Sequence, residues 1–115
     1  MTETTKGSKL LVVIATRDRE KALAGLMYAG NAAKRGWIDD VKVVFFGPSE
    51  RLVVEDEQVA AQVRELAVAG GSFACKAISD REAISEELER LGLKVEYVGS
   101  IISSLIKEGY TPMVW

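Results

Sequence analysis

Four glycines, Gly36, Gly70, Gly92 and Gly109, each close a helix-like stretch and precede a β-like one, as glycines do just past the end of a helix. They impose a strand-helix rhythm on the whole chain. Leu10 to Ala15 and Val41 to Phe46 are short runs rich in β-branched and aromatic residues, the composition of strands covered on both faces. Ser72 to Ile78, Lys94 to Val98 and Thr111 to Trp115 read as three more strands. Strands separated by helices of ten or more residues need crossover connections, which parallel sheets use. The expected fold class is α/β: a three-layer α/β/α domain around a mostly parallel five-stranded sheet.

Four helices should fill the intervals. Leu23, Leu26, Met27, Gly30 and Ala33 recur at helical spacing and predict a first helix over about Arg19 to Arg35. Val59, Val63, Leu66 and Ala67 repeat the stripe after the acidic segment Glu55 to Glu57, whose carboxylates suit the positive end of a helix and need no metal to explain them. Ser79 followed by Glu82 has the spacing of a capping box and predicts the start of a third helix carrying Ile84, Leu88 and Leu91 inward. Ile101, Ile102, Leu105 and Ile106 form the stripe of a fourth. The pattern does not rank the strands within the sheet.

At 115 residues the chain suits one domain, expected over 9–115, with the polar segment 1–8 as a frayed tail. A net charge of -2 without a basic cluster gives no reason to expect a nucleic-acid partner. The apolar run at Leu10 to Ala15 falls far short of the ~20 residues a spanning helix requires, so no membrane role is expected. With no secretory signal at the start and one cysteine unable to close an internal disulfide, a cytoplasmic setting is expected. The complete absence of histidine removes the usual general base and the commonest metal ligand. Neither a G-x-x-x-x-G-K-[ST] loop nor a G-x-G-x-x-G turn is present, and ATRDRE after the first strand is a poor flavin-phosphate loop, so no cofactor is expected.

In open α/β sheets chemistry gathers outside the carboxyl ends of the strands. That rim should hold Thr16 and Arg17, then Gly47, Pro48 and Ser49, then Cys75 and Lys76, then Gly99 and Ser100. Cys75 is the candidate nucleophile, because a thiol near a helix start and beside the Lys76 ammonium is biased toward thiolate. Arg17, Lys76, Ser49 and Ser100 are the candidate substrate-binding residues, and Arg17, Arg51 and Lys76 could together hold an oxyanion. Alternation along the strand nevertheless places Phe73 and Cys75 on one face and Lys76 on the other. A cysteine on an apolar face also serves simply as packing. The apolar end Met113-Val114-Trp115 predicts a partner surface and a homo-oligomer.

The segment VVFFGPSERLV, a helix leading to GGSFACKAIS, and the closing GYTPMVW together resemble the DsrE/DsrF-like group of small sulfur-relay proteins, from about Lys9 to Trp115. The resemblance implies an α/β domain assembled as trimers, hexamers or hetero-oligomers, with sulfur carried as a persulfide or thiosulfonate on Cys75 and passed to a small carrier protein of the TusA kind. Only Cys75 is carried over from the motif; Lys76 follows by adjacency. Two functions stay open. One is a sulfur carrier or sulfurtransferase that holds sulfane sulfur on Cys75 and yields it to a partner thiol. The other is a catalytically silent oligomeric subunit, or a small-ligand or protein-binding module, in which Cys75 is structural.

Overall fold

The computed structural model describes residues 7–115, so residues 1–6 of the expected tail lie outside the described residues. The elements run β1 (Lys9–Ile14), α1 (Arg19–Lys34), β2 (Asp40–Phe45), α2 (Ser49–Glu55), α3 (Glu57–Ala67), β3 (Ser72–Cys75), α4 (Lys76–Arg81), α5 (Ser85–Arg90), β4 (Lys94–Glu96), α6 (Val98–Lys107) and β5 (Thr111–Val114). All five strands are parallel, in the order β4-β3-β2-β1-β5. The result is a three-layer α/β/α fold. All four punctuating glycines take a positive φ.

The order explains the layers. From β1 to β4 the chain steps always in one direction, so right-handed crossovers carry its helices to one face; the return from β4 to β5 puts α6 on the other. Leu10, Val12, Ile14, Val43 and Phe45 accordingly meet Leu26, Val53, Val59, Val63 and Leu88 on the first face. Leu11, Val13, Val44 and Cys75 meet Val98 and Leu105 on the second. Period-two alternation along β1 feeds both cores.

Several expectations are corrected. Helix α1 turns the face one residue earlier than the predicted stripe: Ala22, Gly25, Leu26, Ala29 and Ala32 are buried, while Met27 is 60% exposed. Close approach decides this, since a Cβ on Gly25 would lie 2.6 Å from Ile14 Cδ1 and 2.8 Å from the Trp115 ring. A small-residue face lets α1 sit low over the sheet. The sequence pattern also missed α2, a two-turn helix opened by Pro48, where proline's fixed φ suits a helix start. Asp56, in an extended conformation, ends it and caps α3 by accepting from the N–H groups of Gln58 and Val59.

The predicted capping box is absent. Ser79 lies inside α4, buried, with its hydroxyl against Ser85 Oγ at 2.6 Å. Glu82 instead pairs with Arg51. The expected third helix is two short ones, divided at Ala83, whose φ of 60° breaks the helical run. The first two strands begin and end one residue earlier than predicted, the other three end sooner, and β3 stops at Cys75 because that residue already serves as the cap of α4. Nor does the end of the chain fray among the described residues. The Trp115 carbonyl accepts from Ala15 and Thr16, its N–H donates to Val13, and its ring packs with Tyr28 in the first core. Ser8, expected in the tail, donates through N–H and hydroxyl to Asp39.

Candidate functional site

The loops leaving β1, β2 and β3 run to the first face, whereas the loop leaving β4 runs to the second. Adjacent strands β3 and β4 therefore part at their carboxyl ends, which is the position where open α/β sheets form a crevice. Cys75 is the last residue of β3 and pairs in register with Glu96, the last of β4. Val98, at the start of α6, belongs to the same buried cluster as Cys75. Phe73 and Cys75 share the second face, and Lys76 turns away to pair with Asp80 at 2.8 Å. The alternation read from sequence holds here.

Cys75 is only 5% exposed. Its side chain belongs to the cluster of Leu11, Val13, Val44, Val98 and Leu105, with Ile78 and Ile101 packed against it.

Behind it lies a residue that sequence reasoning missed. Gly47, at φ 103°, takes the chain through a left-handed turn after β2, which only glycine adopts without strain. Ser49 then anchors α2 to the end of β1, donating its N–H to the Ala15 carbonyl at 3.1 Å and its hydroxyl to the Ile14 carbonyl. The next residue, Glu50, is thereby driven inward and is completely buried. Its Oε2 accepts from the Gly47 N–H at 3.1 Å, while Oε1 is buried without a hydrogen bond among the described residues. Burial pushes its carboxyl up to about 7, against the opposing pull of the Gly47 and Cys75 main-chain N–H groups.

A buried, half-satisfied carboxyl is costly to keep. In the sequence it reads as an ordinary charged residue of SERLVVE. The available signal is its place: second in a helix that starts where a central strand ends, able to reach back to the turn as a capping-box glutamate does.

The other candidates separate. Arg17 and Arg51 do meet, lining a pocket of about 240 Å³ with Gly47, Pro48, Ile78, Arg81 and Glu82. Arg17 pairs there with Glu55 at 2.9 Å and Arg51 with Glu82 at 2.5 Å. Lys76 is not part of that group, so the three-cation oxyanion site expected from sequence is not assembled as drawn. Ser49 is fully buried with its hydroxyl occupied. Ser100 stands exposed on α6, its hydroxyl 3.4 Å from the Tyr97 carbonyl.

Comparison with known proteins reaches the fold and no further. No family model matches the chain, and no curated protein matches it. Among solved structures, the chain is similar to a conserved protein of unknown function from Bacteroides thetaiotaomicron, at 25% identity and a TM-score of 0.81, covering 93% of this chain and 95% of that one. It is also similar to a protein of unknown function from Methanobacterium thermoautotrophicum, at 14% identity and a TM-score of 0.62, covering 94% and 99%. The same arrangement of strands and helices therefore recurs at full domain length.

Proposed function

We propose that the protein is a cytoplasmic sulfur carrier that holds sulfane sulfur on Cys75 and passes it to a partner thiol. The observation that supports this most is position: the sole cysteine ends β3 beside β4, where the sheet's connections diverge. The chemistry needs no histidine, metal or cofactor. The Cys75 thiolate attacks the sulfane sulfur of a thiosulfate or polysulfide, forming an S–S bond as the donor's own S–S bond breaks and its electron pair leaves on sulfite or a shortened polysulfide. A partner thiolate, as on a small carrier protein, then attacks the outer sulfur of the persulfide. Cys75 departs as thiolate.

Arg17, with Arg51 and Arg81, offers cationic donors to an anionic donor molecule at the neighbouring pocket. Lys76 in α4 and Ser100 in α6 lie close in sequence to the ends of β3 and β4, and Ser49 contributes by holding the turn. The exposure of β5 along its whole length, with Val114 68% exposed, supports a homo-oligomer, and the family resemblance implies a trimer or hexamer. Sedimentation at micromolar concentration should give a particle larger than 12.5 kDa; a monomer removes this part.

Intact-mass measurement after incubation with polysulfide or thiosulfate should show added sulfur on the native chain and none on Cys75→Ser. Equal gain by both, or no gain by either, ends the carrier reading.

A second reading is favoured by one observation, the 5% exposure of Cys75 among aliphatic side chains. There the chain is a silent oligomeric subunit or binding module. A structural thiol reacts with alkylating reagent only after denaturation, whereas a carrier thiol reacts in the native protein at neutral pH.

A further inference from the structure

Three arginines reach one pocket from three different elements. Arg17 comes from the loop after β1, Arg51 from α2 after β2, and Arg81 from α4 after β3. All three therefore stand beyond the carboxyl ends of neighbouring strands, where open α/β sheets bind ligands. Gly47, Pro48, Ile78 and Glu82 complete the wall of a space of about 240 Å³. Pockets for drug-sized molecules begin at about 300 Å³, so this one suits a small ion or the headgroup of a larger molecule.

A carboxylate of the chain itself already occupies part of this cationic space. Glu82 Oε1 accepts from Arg51 Nε at 2.9 Å and from Nη2 at 2.5 Å. Arg51 holds that carboxyl below its ordinary value, and Arg81 and Arg17 pull in the same direction. Glu55 takes Arg17 at 2.9 Å and Arg51 at the longer distance of 3.5 Å. Arg81 is exposed and forms no ion pair among the described residues. Three cations thus share two carboxylates, and one fork of donors stays unclaimed.

Glu82 defines what can replace it. A free carboxylate brings only what Glu82 already supplies, and the tethered group wins that contest by its high local concentration. A tetrahedral dianion brings a second negative charge and a third oxygen, enough to engage Arg51, Arg81 and Arg17 together. Guanidinium forks match the spacing of such oxygens. We propose that the pocket of Arg17, Arg51 and Arg81 binds a tetrahedral oxyanion of two negative charges, such as a phosphate monoester or thiosulfate, and that Glu82 is a built-in competitor displaced from Arg51 when the ligand enters. The inference names the ligand class for the pocket at which the carrier reading places its anionic donor. It holds without any role for Cys75, whose side chain packs on the other face of the sheet.

The test is a nuclear magnetic resonance titration of the arginine Nε–H signals with inorganic phosphate, thiosulfate and acetate, at low salt and about pH 8, where phosphate is mostly dianionic. Either dianion should shift the signals of Arg17, Arg51 and Arg81 and leave exposed Arg35, outside the pocket, unmoved. Its affinity should exceed that of acetate by about tenfold or more, and Arg81→Ala should remove about the same factor, the effect of one charge-assisted hydrogen bond. Glu82→Gln should bind the dianion severalfold more tightly, because the competing charge is gone.

Equal affinity for acetate, equal shifts at Arg35, or unmoved arginine signals overturn the proposal. So does a Glu82→Gln variant that binds no more tightly, since Glu82 would then be a structural partner of Arg51 only. Should that variant fail to fold, the order of the three anions on the native chain and the loss in Arg81→Ala decide. Thiosulfate ahead of phosphate identifies the ligand as a sulfur donor, and phosphate ahead identifies it as an ester. Sulfur loading of Cys75 is read separately by mass: anion binding without loading removes the carrier reading and leaves the site standing, and loading without anion binding does the reverse.

Discussion

The two faces of the sheet are built to different standards. Against the first, four helices bury a continuous layer from Leu10 to Leu93, and even the Trp115 ring is drawn into it. Against the second, the ten-residue helix α6 is the main cover, assisted by Ile78 of α4, and the layer is smaller. Strand order alone produces the asymmetry, because only one of the four crossovers runs back across the sheet. Stability is therefore concentrated on one side, while the candidate cysteine and the exposed Val114 lie on the other. A protein arranged in this way can alter its thin side for contact or reactivity without undoing its thick one.

The strongest way to break that comparison is truncation in each layer. Phe45→Ala, in the first, should cost about 3–5 kcal/mol and Leu105→Ala, in the second, about 2–3 kcal/mol, both read by denaturant unfolding. Equal losses would mean that the second layer bears more than its size suggests.

Next in size is Glu50→Gln. The folded carboxyl titrates well above its ordinary value of 4.5, so its favourable effect on folding is complete below about pH 4.5 and is lost as pH rises through 7. Replacing it with glutamine should abolish a decline on the order of 3 kcal/mol in stability that the native chain suffers from this group between pH 5 and pH 9. Parallel pH profiles of melting for the two proteins would refute the assignment.

Smallest should be Lys76→Ala. Its pair with Asp80 is exposed and spans one helical turn, an arrangement that contributes little to stability, so the melting temperature should hardly move. A larger loss would show that Lys76 acts on the thin side in some way its exposed pair does not explain.

Where sequence served well and where it did not divides along the same line. Strands with a continuous apolar run, such as Leu10 to Ile14 and Val43 to Phe45, declare themselves, because burial on both faces demands it. The helix-ending glycines did the same. Short elements did not: SERLVVE has two adjacent valines and only two turns, and KAISDR prolongs an apolar strand without a break. In α1 the large residues drew the predicted stripe one position off, when the deciding fact was the tertiary space above Ile14 and under Trp115.

The site was legible to a similar degree. Cys75 was found by its uniqueness and its place at a strand end, and its shared face with Phe73 by alternation. Glu50 was hidden because a glutamate in a short helix is normally solvated, and its burial comes from the Gly47 turn and the Ser49 anchor, neither of which has a pattern in one dimension.

The pairing of β1 with β5 joins Leu10 to Thr111 and Val13 to Val114, nearly the whole length of the chain. On the ribosome, β1 must wait with one hydrophobic edge unpaired until Thr111 to Val114 have emerged. A chain interrupted just before Thr111 would retain most of its first core and yet present an open, apolar strand to its neighbours, the circumstance that most readily seeds aggregation.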